Sequence, residues 1–278
     1  MRLGLSTPVV VQLPGVTSPW EAAAGPDDLA QVARAADELG FDHLTCSEHV
    51  ALPAADAAVR GTTYWDPLAT LSFLAAHTTR VRLATSVLVA AYHHPLAVAK
   101  QYGTLDRLSG GRVVLGIGVG SLEEEFTLLG ASWADRGPGA DAFLSQLRRA
   151  WGRREVDGLV IEPHATSTQV PLWVGGHTAR SLRRAITLGD GWVPFGLRPA
   201  ELTGLLAAAQ PPPGFDVVLS PGHPLDPSGD AGATSRRLRA LRDAGATIVT
   251  CAVRAESVDH HCEQLATLRA LADQIGDR

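Results

Sequence analysis

Apolar and polar positions follow two rhythms along this chain. Short apolar runs suited to strands are separated by longer segments in which apolar residues recur every three or four positions, the spacing of a helix with one buried face. The strand-like runs are Leu3–Ser6, His43–Ser47, Val81–Val89, Val113–Ile117, Leu172–Val174, Gly191–Pro194, Asp216–Ser220 and Thr247–Val253. The helical patterns are Asp27–Leu39, a segment capped by Asp66 with Pro67 in its first turn, Leu96–Leu108, Gly139–Trp151, Thr178–Leu188, Pro199–Ala209, Thr234–Ala244 and Ser257–Ile275. Strands alternating with helices in this way predict an α/β protein, a (β/α)8 TIM barrel occupying residues 1–278 as one domain.

Connection lengths then locate the working face. The segments Pro8–Pro26, Ala51–Trp65, Leu122–Pro138 and Arg153–Val170 exceed a minimal connection, and the first three follow strands. Loops after strands lie at the C-terminal mouth of a barrel, where sites are built. Pro211–Gly214 precedes a strand, so it reads as structural punctuation.

Composition narrows the partners. A net charge of −5 with no basic run argues against nucleic acid and against an anionic membrane surface, and no apolar stretch is long enough to span a bilayer. The expected location is cytoplasmic. Cys46, Cys251 and Cys262 form no CxxC pair, so free thiols are expected rather than disulfides or a zinc site. No HExxH, GxSxG or GxxxxGK[ST] pattern occurs, and His260–His261–Cys262 reads as a helix-face or surface cluster rather than a metal site.

Four places could carry chemistry. Glu48 and His49 stand together just beyond the second strand, where a carboxylate beside an imidazole can orient it for proton transfer. Ser86 and Val87 lie near the end of the long third run, a usual place for a bulge; His93 and His94 follow, and only one of two adjacent side chains can face the site. LDRLSGGRVVLGIGVG, Leu105–Gly120, joins a helix end, a glycine turn and a glycine-rich strand exit. WVGGHTARS, Trp173–Ser181, sets Gly175 and Gly176 before a helix start, where the N–H groups of Thr178 and Ala179, with Arg180 close by, would receive a phosphate. Asp190, in GDGW, reads as a turn residue, and Leu52, Tyr64, Trp65 and Phe195 would make the mouth apolar.

Taken in order, AADELGFDHLTCSEHV, DPLATLSFLAAHTTRVRLATSVLV, HPLAVAKQYGTLDRLSGGRVVLGIGVGSLEEEF and PLWVGGHTARSLRRAITLGDGW resemble the bacterial luciferase-like superfamily of flavin- or deazaflavin-dependent oxidoreductases. The resemblance implies a flavin or deazaflavin ring across the barrel mouth, with its phosphate at Gly175, Gly176, Thr178 and Ala179. It implies cofactor-contact and proton-transfer roles for Glu48 and His49, and a bulge, often with a non-prolyl cis peptide, at Ser86–Val87. Val89, Val119 and Gly120 match ring-side and ribityl-side positions, with Ser121 just beyond on the same wall. The glucose-6-phosphate dehydrogenases of the superfamily carry a proton-donating Glu where this chain has Ser121, so their activity is not carried over. The expected function is hydride transfer between coenzyme F420 and a small organic substrate. FMN-dependent monooxygenation and a cofactor-poor ligand-binding barrel are the alternatives. Family habit implies a homodimer.

Overall fold

The computed structural model describes residues 1–276. Eight parallel strands close into a barrel: β1 (Arg2–Leu5), β2 (His43–Cys46), β3 (Arg82–Thr85), β4 (Val113–Gly118), β5 (Leu172–Gly175), β6 (Gly191–Val193), β7 (Asp216–Leu219) and β8 (Ile248–Cys251). Neighbours pair in chain order, and β8 returns to β1 with Arg2 opposite Ile248. Helices α1 (Pro26–Glu38), α2 (Pro67–His77), α3 (Pro95–Ser109), α4 (Arg136–Ala150), α5 (Ala179–Leu188), α6 (Pro199–Ala209), α7 (Ala231–Asp243) and α8 (Val258–Gly276) alternate with the strands.

The pleat sorts each strand's side chains. Leu3, Leu5, Leu44, Cys46, Leu83, Leu115, Ile117, Leu172 and Val174 join the core shared with the helices. Ala84, Val114, Trp173, Val218 and Ile248 form a separate cluster. Because side chains alternate with period two, that second set fills the barrel axis. Burial on both faces explains why these strands read as apolar runs.

Local signals fix the element ends. Asp66 accepts the Ala69 N–H at 2.8 Å to cap α2, with Pro67 as the first helical residue. The α1 cap is Gly25, two residues before the Asp27 that the acidic pattern suggests: the Asp28 carboxylate reaches back to the Gly25 N–H at 2.8 Å. Helix α3 stops at Gly110 and Gly111, both at positive φ, where a side chain would be strained. The single long run expected over Val81–Val89 is instead two pieces. After Thr85 the ladder breaks at a cis Ser86–Val87 peptide, and Leu88–Val89 resumes by pairing with Ile117 and Gly118 of β4.

Below the barrel, at the N-terminal ends of the strands, lies a closed polar cluster. Asp42 pairs with Arg82 and with Arg2, which also meets Asp216, and Trp173 donates its indole N–H to Asp216 at 3.1 Å. His43, wholly buried, sits against Gly4, where a Cβ would come within 2.2 Å of its ring. Asp190, expected as a turn residue, ties elements together: it accepts the Leu172 N–H at 2.8 Å and pairs with Arg148 at 2.7 Å. His261 is not at the surface. It is buried against Trp20, with neither ring nitrogen hydrogen-bonded within the protein. No described helix is long and apolar enough to cross a membrane.

Candidate active site

The mouth of the barrel is assembled from the ends of β2, β3, β4 and β5. At its centre stands Val87, directly after the break in the third strand. A Cβ built on Gly118 or Gly175 would lie 2.6 or 3.2 Å from a Val87 methyl, whereas one on Gly116 would first meet the Thr85 carbonyl oxygen at 2.2 Å. Gly118 and Gly175 therefore clear the space that Val87 occupies. The lack of a side chain at Gly118 and Gly175 thus also serves a protein neighbour. Gly120, at positive φ, likewise makes room for Phe126, whose ring would meet an added Cβ at 2.5 Å, and for Val89. Val119 is half-buried and Ser121 exposed beside it. Ser86 is fastened from behind: its carbonyl accepts the Ser47 hydroxyl at 2.8 Å.

Glu48 and His49 enter the mouth together but do not pair with each other. The Glu48 carboxylate turns toward the third strand, where it takes the Val89 N–H at 2.7 Å and His93 Nε2 at 2.6 Å. His49 turns the other way, and its Nδ1 lies 2.7 Å from Glu125 on the short helix Glu123–Leu129. The same Glu125 carboxylate accepts the N–H groups of Val50 (2.6 Å) and Ala51 (3.2 Å) and the Tyr92 hydroxyl (3.1 Å). Glu125 is 1% exposed, whereas the His49 side chain keeps 19% of its surface open. The His49 ring packs edge-on against Tyr64 at 4.6 Å, and its Nε2 has no hydrogen-bond partner among the described residues. Burial pushes the phenols of Tyr64 and Tyr92 upward, and the Glu125 charge adds to both, so these rings act as neutral donors. Cys46, beneath the mouth, is pushed up to about 12 by burial and is not a nucleophile.

His93 and His94 divide as the extended backbone requires. His93 meets Glu48, while His94 caps α3 by accepting the Leu96 N–H at 3.2 Å. Glu125 and Tyr92 are the residues sequence reasoning missed. The signal available was Phe126, an apolar anchor that turns its acidic neighbour inward.

Across the mouth, Gly176 (φ 133°) leads through exposed His177 into α5. Thr178 and Ser181 form a reciprocal cap, Ser181 N–H to Thr178 Oγ1 at 3.2 Å and Thr178 N–H to Ser181 Oγ at 3.1 Å. The Thr178 N–H expected to be available for a phosphate is therefore engaged, and the open donors move one position on, to Ala179 and Arg180. Phe195 lies on this rim, stacked edge-on with His177 at 4.9 Å.

Residues 1–210 match the model of the family described as luciferase-like monooxygenase. An uncharacterised protein of Mycobacterium tuberculosis is 30% identical over 186 residues, 59% of this chain and 66% of that protein. The 4-hydroxyprotoasukamycin monooxygenase of Streptomyces nodosus subsp. asukaensis is 32% identical over 203 residues, 70% of this chain and 49% of that enzyme. The aligned segments thus span from half to about two thirds of these relatives' length. Among solved structures, the monooxygenase RslO1 from Streptomyces bottropensis superposes with a TM-score of 0.76 at 22% identity, covering 99% of this chain and 100% of that one. An F420-dependent secondary alcohol dehydrogenase in complex with an F420–acetone adduct gives 0.73 at 14% identity, with 97% of each chain covered. The oxygenating constituent of 3,6-diketocamphane monooxygenase from Pseudomonas putida, in complex with FMN, gives 0.70 at 16% identity, covering 100% of this chain and 98% of that one. The structural neighbours thus share the barrel and include both F420-dependent and FMN-binding proteins, and on the family match the chain belongs to the luciferase-like monooxygenase family.

Proposed function

We propose that this chain is an oxidoreductase that transfers hydride between coenzyme F420 and a small organic substrate. The observation that carries the reading is His49, in the loop that leaves β2: an imidazole anchored at Nδ1 and partly open to solvent, whose Nε2 has no partner among the described residues. Moving hydride to or from a carbon that bears oxygen requires a proton at that oxygen, and a fixed imidazole facing the mouth can give or take it.

The residues present fit a flat anionic cofactor. Val87 fills the glycine-lined centre and offers an apolar shelf, with Val89 and Val119 beside it. The Ala179 and Arg180 N–H groups at the start of α5, with the Arg180 side chain, would hold a phosphate. When bound, a deazaflavin supplies hydride chemistry alone, and a flavin adds reaction with oxygen. Glu48 holds the strand after the break in place through the Val89 N–H, and the Tyr64 ring covers one side of His49.

A second reading, FMN-dependent monooxygenation, is favoured by the 32% identity to the 4-hydroxyprotoasukamycin monooxygenase and by the likeness in fold to a monooxygenase constituent that binds FMN. Isolation from a host that makes both cofactors separates the two. A bound chromophore absorbing near about 420 nm supports F420, and one near about 450 nm supports flavin. Absence of either after titration at micromolar concentration would leave a ligand-binding barrel instead.

A further inference from the structure

We propose that Glu125 is a positioning residue that decides which nitrogen of His49 carries the proton, holding Nε2 as a bare lone pair toward the mouth whenever the ring is neutral. The inference rests on His49 being the proton-transfer group.

Two backbone donors, Val50 N–H and Ala51 N–H, converge on Oε1 of Glu125. Backbone N–H groups can only donate, so that oxygen is committed as an acceptor. The other oxygen, Oε2, faces His49 Nδ1 at 2.7 Å and the Tyr92 hydroxyl at 3.1 Å. A carboxylate so surrounded has only lone pairs to offer, and His49 must meet it with Nδ1–H. The neutral ring then has no proton left for Nε2. His49 is thereby set to accept a proton from substrate when neutral and to return it when charged.

The two oxygens make the idea testable by one atom. In Glu125→Gln, the single amide oxygen must stay with Val50 and Ala51, because an NH2 there would face two N–H donors. The NH2 then faces Nδ1 of His49, which can meet it only as an acceptor. The variant should therefore reverse the tautomer, moving the proton to Nε2 and closing the lone pair that faces the mouth.

Proton–nitrogen correlation spectra of ring-labelled histidine, recorded without cofactor and where the ring is neutral, read this directly, with the His49 signals identified by their loss in His49→Gln. The expected result is Nδ1–H in the wild-type protein and Nε2–H in Glu125→Gln, with kcat lowered on the order of 100-fold and the chromophore still bound. Tyr92→Phe, which removes a donor from Oε2 without touching His49, should keep the wild-type tautomer. Nε2–H in the wild-type protein overturns the proposal without need of any variant. An unchanged Nδ1–H in a folded Glu125→Gln overturns it as well. The spectra require neither cofactor nor turnover. A reversed tautomer in a chain that binds no chromophore would refute the oxidoreductase reading and leave the Glu125 assignment standing.

Discussion

Each end of the barrel carries a histidine hydrogen-bonded to a carboxylate, and the two pairs have nearly the same length. His43 Nδ1 lies 2.8 Å from Asp42, and His49 Nδ1 lies 2.7 Å from Glu125. Their second nitrogens differ. His43 Nε2 is 3.0 Å from the Thr250 hydroxyl, its ring is wholly buried between Gly4 and Trp173, and burial lowers its proton affinity despite the Asp42 charge. His49 Nε2 opens into the mouth. A histidine–carboxylate pair is therefore chemical only where one nitrogen remains unspent and reachable. Where both are spent it is a structural fastening, here the plug at the bottom of the barrel.

Several substitutions would sharpen or break this contrast. The largest effect is expected for His49→Ala: turnover should fall about 100- to 10,000-fold, with cofactor affinity and thermal midpoint near wild type. Equal turnover would remove His49 from the mechanism. His43→Leu should do the reverse, costing about 2–4 kcal/mol in denaturant unfolding while the folded fraction keeps its cofactor affinity.

Asp42 supplies the pH test of the plug. Burial alone would raise it, but the His43 hydrogen bond and the Arg82 charge outweigh burial and bring it to about 2. Its value in the folded chain lies below the ordinary 3.8, so its contribution is present above about pH 4 and is lost as pH falls toward 2. Asp42→Asn should unfold about 2 kcal/mol more easily at neutral pH and lack that acid-side slope. A parallel slope in the variant would show that other carboxylates govern acid stability.

Gly118→Ala tests the mouth without touching a titratable group. The added methyl meets Val87, so cofactor affinity should drop roughly 10-fold and recover in the Gly118→Ala, Val87→Ala double variant. Independent, additive losses would mean that Val87 and Gly118 do not share the space described.

The smallest effect is expected at His261, a buried histidine with no hydrogen-bond partner at either ring nitrogen among the described residues. Burial first, and then the charge of His260, lower it to about 4. The unfolded chain takes its proton first as pH falls below 6.5, so stability is lost between there and about 4. His261→Leu should flatten that loss and gain about 1 kcal/mol in unfolding experiments.

These three histidines also show how far the sequence could be read. FDHL and SEHV both set an acid directly before a histidine. In the first the neighbours pair, because Asp42 lies just before β2 and can fold back onto the ring. In the second both residues have left the strand, and each turns to a carboxylate or imidazole more than forty residues away in sequence. Nothing local distinguishes the two cases. Glu125 is hidden among Glu123, Glu124 and Glu125, an acidic helix start whose middle members are exposed and whose last is buried. Only contact with the loop after β2 singles it out.

What the sequence determined by itself was periodic: the alternation of strands and helices, the cap at Asp66, the glycine stops after α3, and the long loops that mark the mouth. Such features depend on residues a few positions apart, whose physics is settled by backbone sterics and local hydrogen bonds. The tertiary structure alone decided which carboxylate each histidine meets and that Val87 fills the space cleared by Gly118 and Gly175. Closing the barrel brings chain-distant side chains within hydrogen-bond reach, and the choice among them depends on orientation at the level of ångströms, which composition and spacing do not carry.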